Sequence, residues 1–421
     1  MSFETISVVG LGYIGLPTAA MFASRKKKVI GVDVNQNAVD TINRGEIHIV
    51  EPDLDMIVHA AVTEGYLKAV TTPEPADAFL IAVPTPFKEC AEGEIPEPDL
   101  RFIEAASKAI APVLKKGDLV ILESTSPVGA TEQMAEWLAE ARGDLTFPQA
   151  AGENADVNIA HCPERVLPGH VVRELVENDR VIGGMSSRCS ERSVELYKTF
   201  VQGECVVTNA RTAEMAKLTE NSCRDVQIAF ANELSVICDK LDINVWELIS
   251  LANRHPRINI LQPGPGVGGH CIAVDPWFIV SRTPEEAQII HTARKVNDGK
   301  PEWVINKVKL AIADFLQAHP DRTAREVTVA CYGLAFKPDI DDLRESPAMY
   351  ITSEIVKMHS GRVIAVEPNI DAKPDKLENV ELLEFETASE VADIQVLLVD
   401  HKEFKETSVG NGIIIDTKGI W

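Results

Sequence analysis

The sequence has few basic residues for its length. Its 421 residues include 41 lysines and arginines against 64 aspartates and glutamates, which gives a formal net charge of −23 at pH 7. A chain of this charge would repel nucleic acid and anionic lipid, because both carry dense negative charge. If the ligand is an anion, its site must therefore concentrate the cations locally.

Long apolar runs are also missing. No stretch approaches the roughly 20 apolar residues that span a bilayer, and the opening MSFETISVVGLGYIG has no basic region followed by a cleavage site. From these two absences we expect neither a helical membrane protein nor an exported precursor. We expect the protein to remain in the cytoplasm.

The cysteines form no CxxC pair and no metal-like grouping with histidine, so the sequence predicts no metal site. Most of them are expected to be small buried apolar residues in a reducing compartment. The eight stand at positions 90, 162, 189, 205, 223, 238, 271 and 331.

The apolar patterning predicts two α/β domains. TISVVGLGYIGLPTAAMFASRKKKVIGVDVN reads as an apolar run, a glycine-rich turn, a helix and a second apolar run that ends in Asp33, which is one βαβ unit. Further buried strands follow, and the pattern recurs from EVTVACYGLAFK onward. We therefore predict two Rossmann-like, doubly wound parallel-sheet domains joined by a central helical domain, with boundaries at 1–205, 206–318 and 319–421.

The predicted centre contains one long helix. The segment TAEMAKLTENSCRDVQIAFANELSVICDKL holds no glycine or proline and opens on Thr212, a residue type that caps helices well. Lys217, Asn221 and Arg224 share one helical face, so they would line a cleft or form an ordinary solvated stripe. We expect the core side to consist of four apolar residues, Met215, Leu218, Ala229 and Phe230.

The first turn carries the G-x-G-x-x-G pattern at Gly10, Gly12 and Gly15. In this context the first glycine allows a tight turn, the second admits a pyrophosphate and the third lets helix and strand pack closely. Asp33 ends the second strand, where a carboxylate binds a ribose 2′-hydroxyl and opposes a 2′-phosphate. The pattern predicts NAD as the cofactor.

Cys271 lies in GPGVGGHCIAVDPW, between glycines and beside His270, with Asp275 four residues further on. A lone cysteine is most often a buried thiol, but the glycines favour a presented one. Together with a nucleotide-binding domain, a presented thiol indicates oxidation through a thiohemiacetal and a thioester.

Seven motifs, in order, make the chain resemble the UDP-glucose/GDP-mannose dehydrogenase family over essentially its full length: GLGYIGLP, VPTP, STSPVG, CPERVLPG, AEMAKLTENS, GPGVGGHC and GLAFKPDIDDLRESPA. The stretch NRHPRINILQPGPGVGGHCIAVDPWFI is similar to the acetamido-sugar branch of that family. The resemblance implies an NAD-dependent, four-electron oxidation at C6 of UDP-N-acetylmannosamine, for a bacterial surface polysaccharide of the enterobacterial common antigen type. It also implies a homodimer formed through the long helix.

Site residues follow from the resemblance. It implies Cys271 as the nucleophile, Lys217 as the oxyanion-stabilising lysine, Asp275 as its partner in proton transfer and Glu164 in thioester hydrolysis. Thr125 and Asn221 would position water. For NAD it adds Tyr13, Ile14, Asp33, Thr85, Ser126 and Arg344. For the UDP-sugar it implies Arg165, Val166, Lys217, Asn221, Arg224, His255, Arg257, Gly268, Phe336, Lys337 and Lys418.

Three alternatives stay open at this stage. The first is another substrate, UDP-N-acetylglucosamine or UDP-glucose. The second is a two-electron hydroxyacid dehydrogenase. The third is a non-catalytic sensor of NAD or nucleotide sugars. A two-electron enzyme has no use for Cys271 or for a second α/β domain. A sensor has no use for Cys271, Lys217, Asp275 and Glu164 together.

Overall fold

The computed structural model describes residues 3–91, 93–166, 169–269, 271–405, 407 and 409–421. The chain forms two compact units. The N-terminal unit comprises Met1–Glu220 with Trp277–Arg282, and the C-terminal unit comprises Asn221–Pro276 with Thr283–Trp421.

The N-terminal unit is built on an eight-stranded sheet. Its strands are β1 (Thr5–Val9), β2 (Lys28–Val32), β3 (Leu67–Val70), β4 (Ala78–Ile81), β5 (Leu119–Leu122), β6 (Asn158–His161), β7 (Arg180–Gly184) and β8 (Cys205–Asn209). The order across the sheet is β3-β2-β1-β4-β5-β6-β7-β8, and the first six pair in parallel. This confirms the predicted doubly wound arrangement, with one difference: β7 runs antiparallel to β6.

Eight helices accompany this sheet in the described residues: α1 (Gly15–Ser24), α2 (Gln36–Asn43), α3 (Leu54–Thr63), α4 (Arg101–Ile110), α5 (Ala130–Ala141), α6 (Pro148–Ala151), α7 (Val171–Glu177) and α8 (Ser187–Tyr197). They pack on both faces, because the central strands alternate between two cores. In β5, Leu119 and Ile121 join the core that includes α1, whereas Val120 and Leu122 join the core that includes α4.

The C-terminal unit contains a second, wholly parallel sheet. Its strands are β9 (Thr328–Tyr332), β10 (Arg362–Val366), β11 (Glu381–Leu382), β12 (Ile394–Leu397) and β13 (Ile413–Asp416), in the order β11-β10-β9-β12-β13. The helices that follow in this part are α13 (Pro347–Met358), α14 (Phe385–Val391) and α15 (Lys402–Lys405). The second predicted α/β domain is therefore confirmed.

Four helices form the predicted central region: α9 (Ala210–Lys240), α10 (Val245–Ala252), α11 (Asp275–Arg282) and α12 (Gln288–Ala318). The long helix α9 begins at Ala210, so Thr212 is not its cap as predicted. Instead the side chain of Asn209 accepts a hydrogen bond from the Thr212 backbone N–H at 2.9 Å. No helix in the described part of the chain is both long and apolar enough to cross a membrane.

The predicted core side of α9 is half right. Leu218 and Ala229 are buried, but Met215 and Phe230 are 38% and 53% exposed. Helical periodicity identifies residues that share a face, but it does not identify which of those residues are covered by other parts of the same chain. The exposed pair leaves part of the apolar face of α9 open.

Candidate active site

The three glycines of the first turn have different surroundings. Gly10 has φ +91°, and a Cβ added there would lie 2.5 Å from the carbonyl oxygen of Ala82. A Cβ at Gly15 would lie 1.7 Å from the carbonyl oxygen of Gly10, whereas one at Gly12 meets nothing within 4 Å. Packing thus requires the outer glycines, and the middle one leaves open space before α1 for a phosphate.

Asp33 follows β2 and is joined to the glycine turn. Its Oδ2 accepts from the Leu11 backbone N–H at 2.9 Å, and its Oδ1 accepts from the Asn35 N–H at 2.9 Å. Each carboxylate oxygen retains a further lone pair, so Asp33 can also accept from ribose hydroxyls. The predicted ribose ligand is therefore fixed to the loop that would hold the pyrophosphate.

Two hydroxyls near the same edge are buried without a hydrogen-bond partner among the described residues. They are Thr85 Oγ1 and Ser126 Oγ. Thr85 follows the carboxyl end of β4, and Ser126 follows that of the neighbouring β5, which is the edge where doubly wound sheets bind ligands. Orphaned buried hydroxyls at this place fit a bound dinucleotide, which would supply their partners.

The remaining predicted NAD residues lie as follows. Tyr13 is exposed and Ile14 precedes α1, so both border the glycine turn. Arg344 lies in the C-terminal unit, where its guanidinium pairs with Asp342 at 2.6 Å. Its contribution to NAD binding stays a prediction.

Glu164 lies in a buried charge cluster that the sequence analysis missed. Its Oε2 accepts from Arg180 Nη2 at 2.6 Å, and its Oε1 accepts from the Arg165 backbone N–H at 2.6 Å. Arg180 also lies 3.4 Å from Glu123 Oε1, which accepts from the Tyr197 hydroxyl at 2.6 Å. Burial raises the pKa of Glu123 to about 7, because a buried environment disfavours the charged carboxylate. Arg180 is thus the shared partner of Glu123 and Glu164.

The loop after β6 also reaches α9. Arg165 Nη2 pairs with Glu220 Oε1 at 2.5 Å, and Glu220 lies three residues after Lys217. Val166 is half-buried and packs against the core on the α1 face. The loop that carries Glu164 is thus attached to the helix that carries Lys217.

A second buried carboxylate attaches the loop after β5 to α9. Glu214 Oε1 accepts from the Thr131 N–H at 2.8 Å, and Glu214 Oε2 accepts from the Gly129 N–H at 2.7 Å. These bonds satisfy the first backbone donors of α5, where a carboxylate also interacts favourably with the helix dipole. The same loop carries Thr125, which is partly buried, so it is held against the first turns of α9.

Cys271 is exposed, as the glycine-rich loop predicts. Its carbonyl oxygen accepts from the Asp275 backbone N–H at 2.8 Å, so the chain turns directly into α11. Asp275 is almost fully buried, and its Oδ2 accepts from Asn221 Nδ2 at 2.5 Å. Three predicted catalytic residues are thereby brought into one part of the C-terminal unit.

The glycines before Cys271 pack against the segment after β9. A Cβ at Gly268 would lie 3.0 Å from the Cβ of Phe336 and 2.5 Å from the carbonyl oxygen of Glu345. A Cβ at Gly269, which has φ +81°, would lie 3.0 Å from the ring of Phe336. Gly268 and Phe336, both predicted to bind the sugar nucleotide, are therefore neighbours.

Among the predicted cations, Lys418 lies near the start of the same loop. Lys418 lies after β13, where its Nζ pairs with Asp400 at 3.0 Å and lies 3.7 Å from the position of a Cβ on Gly264. Lys337 and Arg224 are exposed. His255 and Arg257 are exposed after α10, and the Arg257 N–H donates to His255 Nδ1 at 3.4 Å.

The site residues therefore fall into two groups. Thr125, Glu164, Arg165 and Lys217 belong to the N-terminal unit, and Asn221, Cys271 and Asp275 belong to the C-terminal unit. Lys217 and Asn221 are one turn apart on α9, so they share a face of one helix. That the two groups act in one active site stays a prediction, and His270 lies outside the described residues.

Exposure alone does not single out Cys271. Cys90 and Cys223 are also exposed, whereas Cys162, Cys189, Cys238 and Cys331 are buried and Cys205 is partly buried. The expectation that most cysteines are buried thus holds for half of them.

Within the described residues, one cluster has the residue types that bind metals: Asp339, His401 and Glu403. Both ring nitrogens of His401 already make hydrogen bonds.

Comparison with known proteins identifies three consecutive domains of one family. The UDP-glucose/GDP-mannose dehydrogenase family matches through its NAD binding domain over residues 4–201, its central domain over 211–299 and its UDP binding domain over 330–421. The first of these matches confirms the NAD cofactor that the glycine turn and Asp33 predict.

Full-length relatives support the same assignment. The chain is 69% identical to the UDP-N-acetyl-D-mannosamine dehydrogenase of Yersinia pestis over 425 residues, with 100% of each chain covered. It is 63% identical to the NDP-N-acetyl-D-galactosaminuronic acid dehydrogenase of Ralstonia solanacearum, covering 100% of this chain and 97% of that one. A solved UDP-D-ManNAc dehydrogenase of Pyrococcus horikoshii superposes with a TM-score of 0.86 at 37% identity, covering 99% and 96% of the two chains. The chain therefore belongs to the UDP-glucose/GDP-mannose dehydrogenase family.

Proposed function

We propose that the protein oxidises the C6 alcohol of UDP-N-acetyl-D-mannosamine to the carboxylate, giving UDP-N-acetyl-D-mannosaminuronate, with two NAD reduced per turnover. The observation that carries this proposal is the full-length 69% identity to an enzyme named for that substrate. The exposed Cys271 in its glycine-rich loop supports a four-electron reaction, because a thiol can hold the aldehyde between two oxidations.

In the first oxidation, C6 loses a hydride and its hydroxyl proton and becomes an aldehyde. NAD bound at the glycine turn supplies the hydride acceptor for both oxidations. Asp275 takes the hydroxyl proton through a water molecule, and the Lys217 ammonium stabilises the developing oxyanion. The amide of Asn221, bonded to Asp275 at 2.5 Å, orients that carboxylate.

In the second oxidation, the Cys271 thiolate adds to the aldehyde and forms a C–S bond. The C=O π bond opens to an oxyanion, which Lys217 stabilises, and loss of a hydride from C6 of this thiohemiacetal anion re-forms the carbonyl as a thioester. Water then adds to the thioester carbonyl, the C–S bond breaks and the thiolate leaves, so the acid is released and Cys271 is restored. Glu164 acts as the base for this water, and Thr125 and Asn221 position it.

The buried pair of Glu164 with Arg180 bears on that last role. The Glu164 carboxylate accepts from the Arg180 guanidinium at 2.6 Å, which fixes the direction in which its other oxygen can face a water molecule. A glutamate with a purely structural role would form the same ion pair with Arg180. The two roles differ in whether the thioester accumulates when Glu164 is changed.

The UDP-sugar is bound by cations around the Cys271 loop, among them Lys418 and Lys337, with Arg165, Arg257 and Arg224 as further contributors. Phe336 supports the loop through Gly268. Such a local positive set is needed because the whole chain carries a net charge of −23.

A second candidate substrate is an NDP-linked N-acetylgalactosamine. The 63% full-length identity to the Ralstonia solanacearum enzyme favours it specifically. UDP-N-acetylglucosamine and UDP-glucose differ from the proposed substrate at C2, and a binding-only sensor remains the alternative of another class.

Initial rates with the four nucleotide sugars, measured side by side at saturating NAD, test the proposal. We expect the highest kcat/KM with UDP-N-acetylmannosamine, because a site that hydrogen-bonds one acetamido configuration leaves polar groups unpaired with the other. Preferred turnover of the galactosamine sugar would replace the proposed substrate, and binding of both ligands without any NADH formation would favour the sensor.

A homodimer through the central helices is also part of the proposal. Phe230, Ile237 and Leu241 of the α9 region are 53%, 43% and 61% exposed and recur at a spacing that places them on one face. An apolar stripe of this kind is typical of an interface. Analytical ultracentrifugation should give a dimer mass, and Phe230→Glu should shift it toward the monomer.

The wider setting follows from the substrate. We propose an NAD-binding domain over 1–205, a central helical domain over 206–318 and a UDP-sugar domain over 319–421, which the order of the three family matches supports. A uronate sugar nucleotide serves as a precursor for surface polysaccharide, of the enterobacterial common antigen type. Because the proposed reaction uses NAD and a UDP-sugar, we propose that the enzyme is cytoplasmic.

Asp33 should make the enzyme select NAD over NADP. Asp33→Asn weakens two charge-assisted bonds to the ribose, so we expect kcat/KM for NAD to fall roughly 10- to 100-fold while that for NADP rises. Steady-state kinetics with both cofactors measure the ratio. Asp40→Asn is the control, because Asp40 is an exposed carboxylate on α2, and equal efficiency of the unmodified enzyme with NADP would refute the prediction.

A further inference from the structure

Asn232 is a fully buried amide in the middle of α9, and both ends of its side chain make hydrogen bonds. Its Oδ1 accepts from the Gly264 backbone N–H at 2.9 Å, and its Nδ2 donates to Asn297 Oδ1 at 2.9 Å. Gly264 opens the segment GPGVGGHC that ends at Cys271. The amide thus connects the start of the cysteine loop to α9 and α12.

The orientation of this amide is determined by its neighbours. Asn297 Nδ2 donates to the backbone carbonyl of Asp225 at 3.0 Å, and a carbonyl oxygen accepts only. Asn297 must therefore turn its oxygen toward Asn232, which must turn its own oxygen toward Gly264. Asp225 is in turn held by Arg294, whose Nη1 donates to Asp225 Oδ1 at 2.6 Å.

The same helix also holds the other end of the loop. Asn221 donates to Asp275, four residues after Cys271, at 2.5 Å. Asn221 and Asn232 lie 11 residues apart, which at about 1.5 Å and about 100° per residue places them about 16 Å apart on one face of α9. One helix face therefore anchors both Gly264 and Asp275.

The backbone between these anchors needs such support. Gly266 and Gly269 have φ of +153° and +81°. Glycine adopts such backbone conformations without strain, and it can also leave them without strain. A segment rich in glycine loses much conformational entropy when it is held in one shape. The two asparagine anchors limit the shapes available to the loop that presents the thiol.

We propose that Asn232 is a positioning residue for the reaction, one that sets the place of the Cys271 thiol by holding Gly264 and does not itself touch substrate. This inference rests on the proposed function of Cys271 as the nucleophile. A thiol displaced by about 1 Å from its attacking position loses roughly 100-fold in rate, whereas ligand binding by other residues changes little.

The test measures turnover and thiol reactivity separately. In a background with Cys90→Ser and Cys223→Ser, which removes the other two exposed thiols, Asn232→Ala should lower kcat roughly 10- to 100-fold. KM for NAD should stay within about threefold, since the residues assigned to NAD lie outside the loop from Gly264 to Cys271. The rate of Cys271 alkylation by iodoacetamide should change at least about threefold, measured by peptide mass spectrometry.

Gly264→Ala is the matched control. It keeps the N–H, and its Cβ would meet no atom closer than 3.7 Å, so kcat and alkylation should equal those of the background protein. Gly264→Pro removes the donor from the same hydrogen bond while leaving α9 intact, and it should reproduce the loss of kcat. This variant carries the test if Asn232→Ala does not fold.

A folded Asn232→Ala or Gly264→Pro enzyme with unchanged kcat and unchanged alkylation would overturn the proposal. A lower melting temperature with unchanged kcat at 25 °C would do the same, because it would assign Asn232 to stability alone. If Cys271→Ser kept full activity, the proposed function would fail, yet the alkylation rates would still report whether Asn232 positions the thiol.

Discussion

Replacing Cys271 with serine should leave NAD and UDP-sugar binding intact and abolish net turnover. A serine hydroxyl is much harder to ionise at neutral pH than a thiol, so the nucleophile that holds the aldehyde is lost. We expect acid formation to fall by roughly 1,000-fold or more, as is typical when a covalent nucleophile is removed. Calorimetric titration with each ligand and rapid-quench analysis of products measure the two effects.

Cys90→Ser is the matched control for that experiment. Cys90 is an exposed cysteine of the N-terminal unit that is not itself assigned to either ligand, although it follows Thr85 by five residues between β4 and α4, and its replacement should leave the rate unchanged. Unimpaired acid formation by Cys271→Ser would rule out a thioester at this residue. Loss of NAD binding instead would point to a folding defect.

Glu164→Gln should slow release of the acid more than it slows either oxidation. If Glu164 is the base for thioester hydrolysis, the thioester accumulates on Cys271 after two NADH have formed. The expected signature is a burst approaching two NADH per active site, then a steady state roughly 100-fold slower than that of the unmodified enzyme. Intact-protein mass spectrometry should detect the added sugar nucleotide during that phase.

The surroundings of Glu164 make this substitution informative. Glutamine matches glutamate in shape, but its single oxygen can accept from Arg180 or from the Arg165 N–H and not from both, so the variant loses one of the two hydrogen bonds of the buried cluster. Glu177→Gln is a suitable control, because it alters a carboxylate paired with Arg173 on the exposed face of nearby α7. A folded, saturable Glu164→Gln enzyme with neither burst nor adduct would assign Glu164 to loop structure.

Local sequence signals predicted the parts of the site that are local in the chain. The glycine turn and Asp33 lie within one βαβ unit, so their spacing alone indicates the backbone that holds them. Cys271 and Asp275 are likewise four residues apart. In both places the predicted geometry depends on neighbours along the chain, which a sequence displays directly.

Contacts between distant residues could not be predicted in this way. Arg180 meets Glu123 and Glu164 across 57 and 16 residues, and no periodicity connects those positions. A charged residue directly after the buried strand β5 was the available signal, since Glu123 must find a partner there. The same limit explains Asn232, which reads in the sequence as one more polar residue of a long helix.

The misplaced details have related causes. Thr212 was expected to cap α9, but the Asn209 side chain takes that role because the helix extends two residues further back. Met215 and Phe230 were expected in the core and are exposed, because a helix pattern does not reveal which apolar face the chain leaves open. The reversed direction of β7 leaves no mark in its apolar composition.

The most direct test of the central claim is the number of NADH formed per molecule of UDP-N-acetylmannosamine when that sugar is limiting and NAD is in excess. The proposed four-electron reaction through Cys271 predicts two NADH and complete conversion to the uronate, with no free aldehyde trapped by hydroxylamine. One NADH per sugar with a trapped aldehyde would show a two-electron alcohol dehydrogenase and contradict the account.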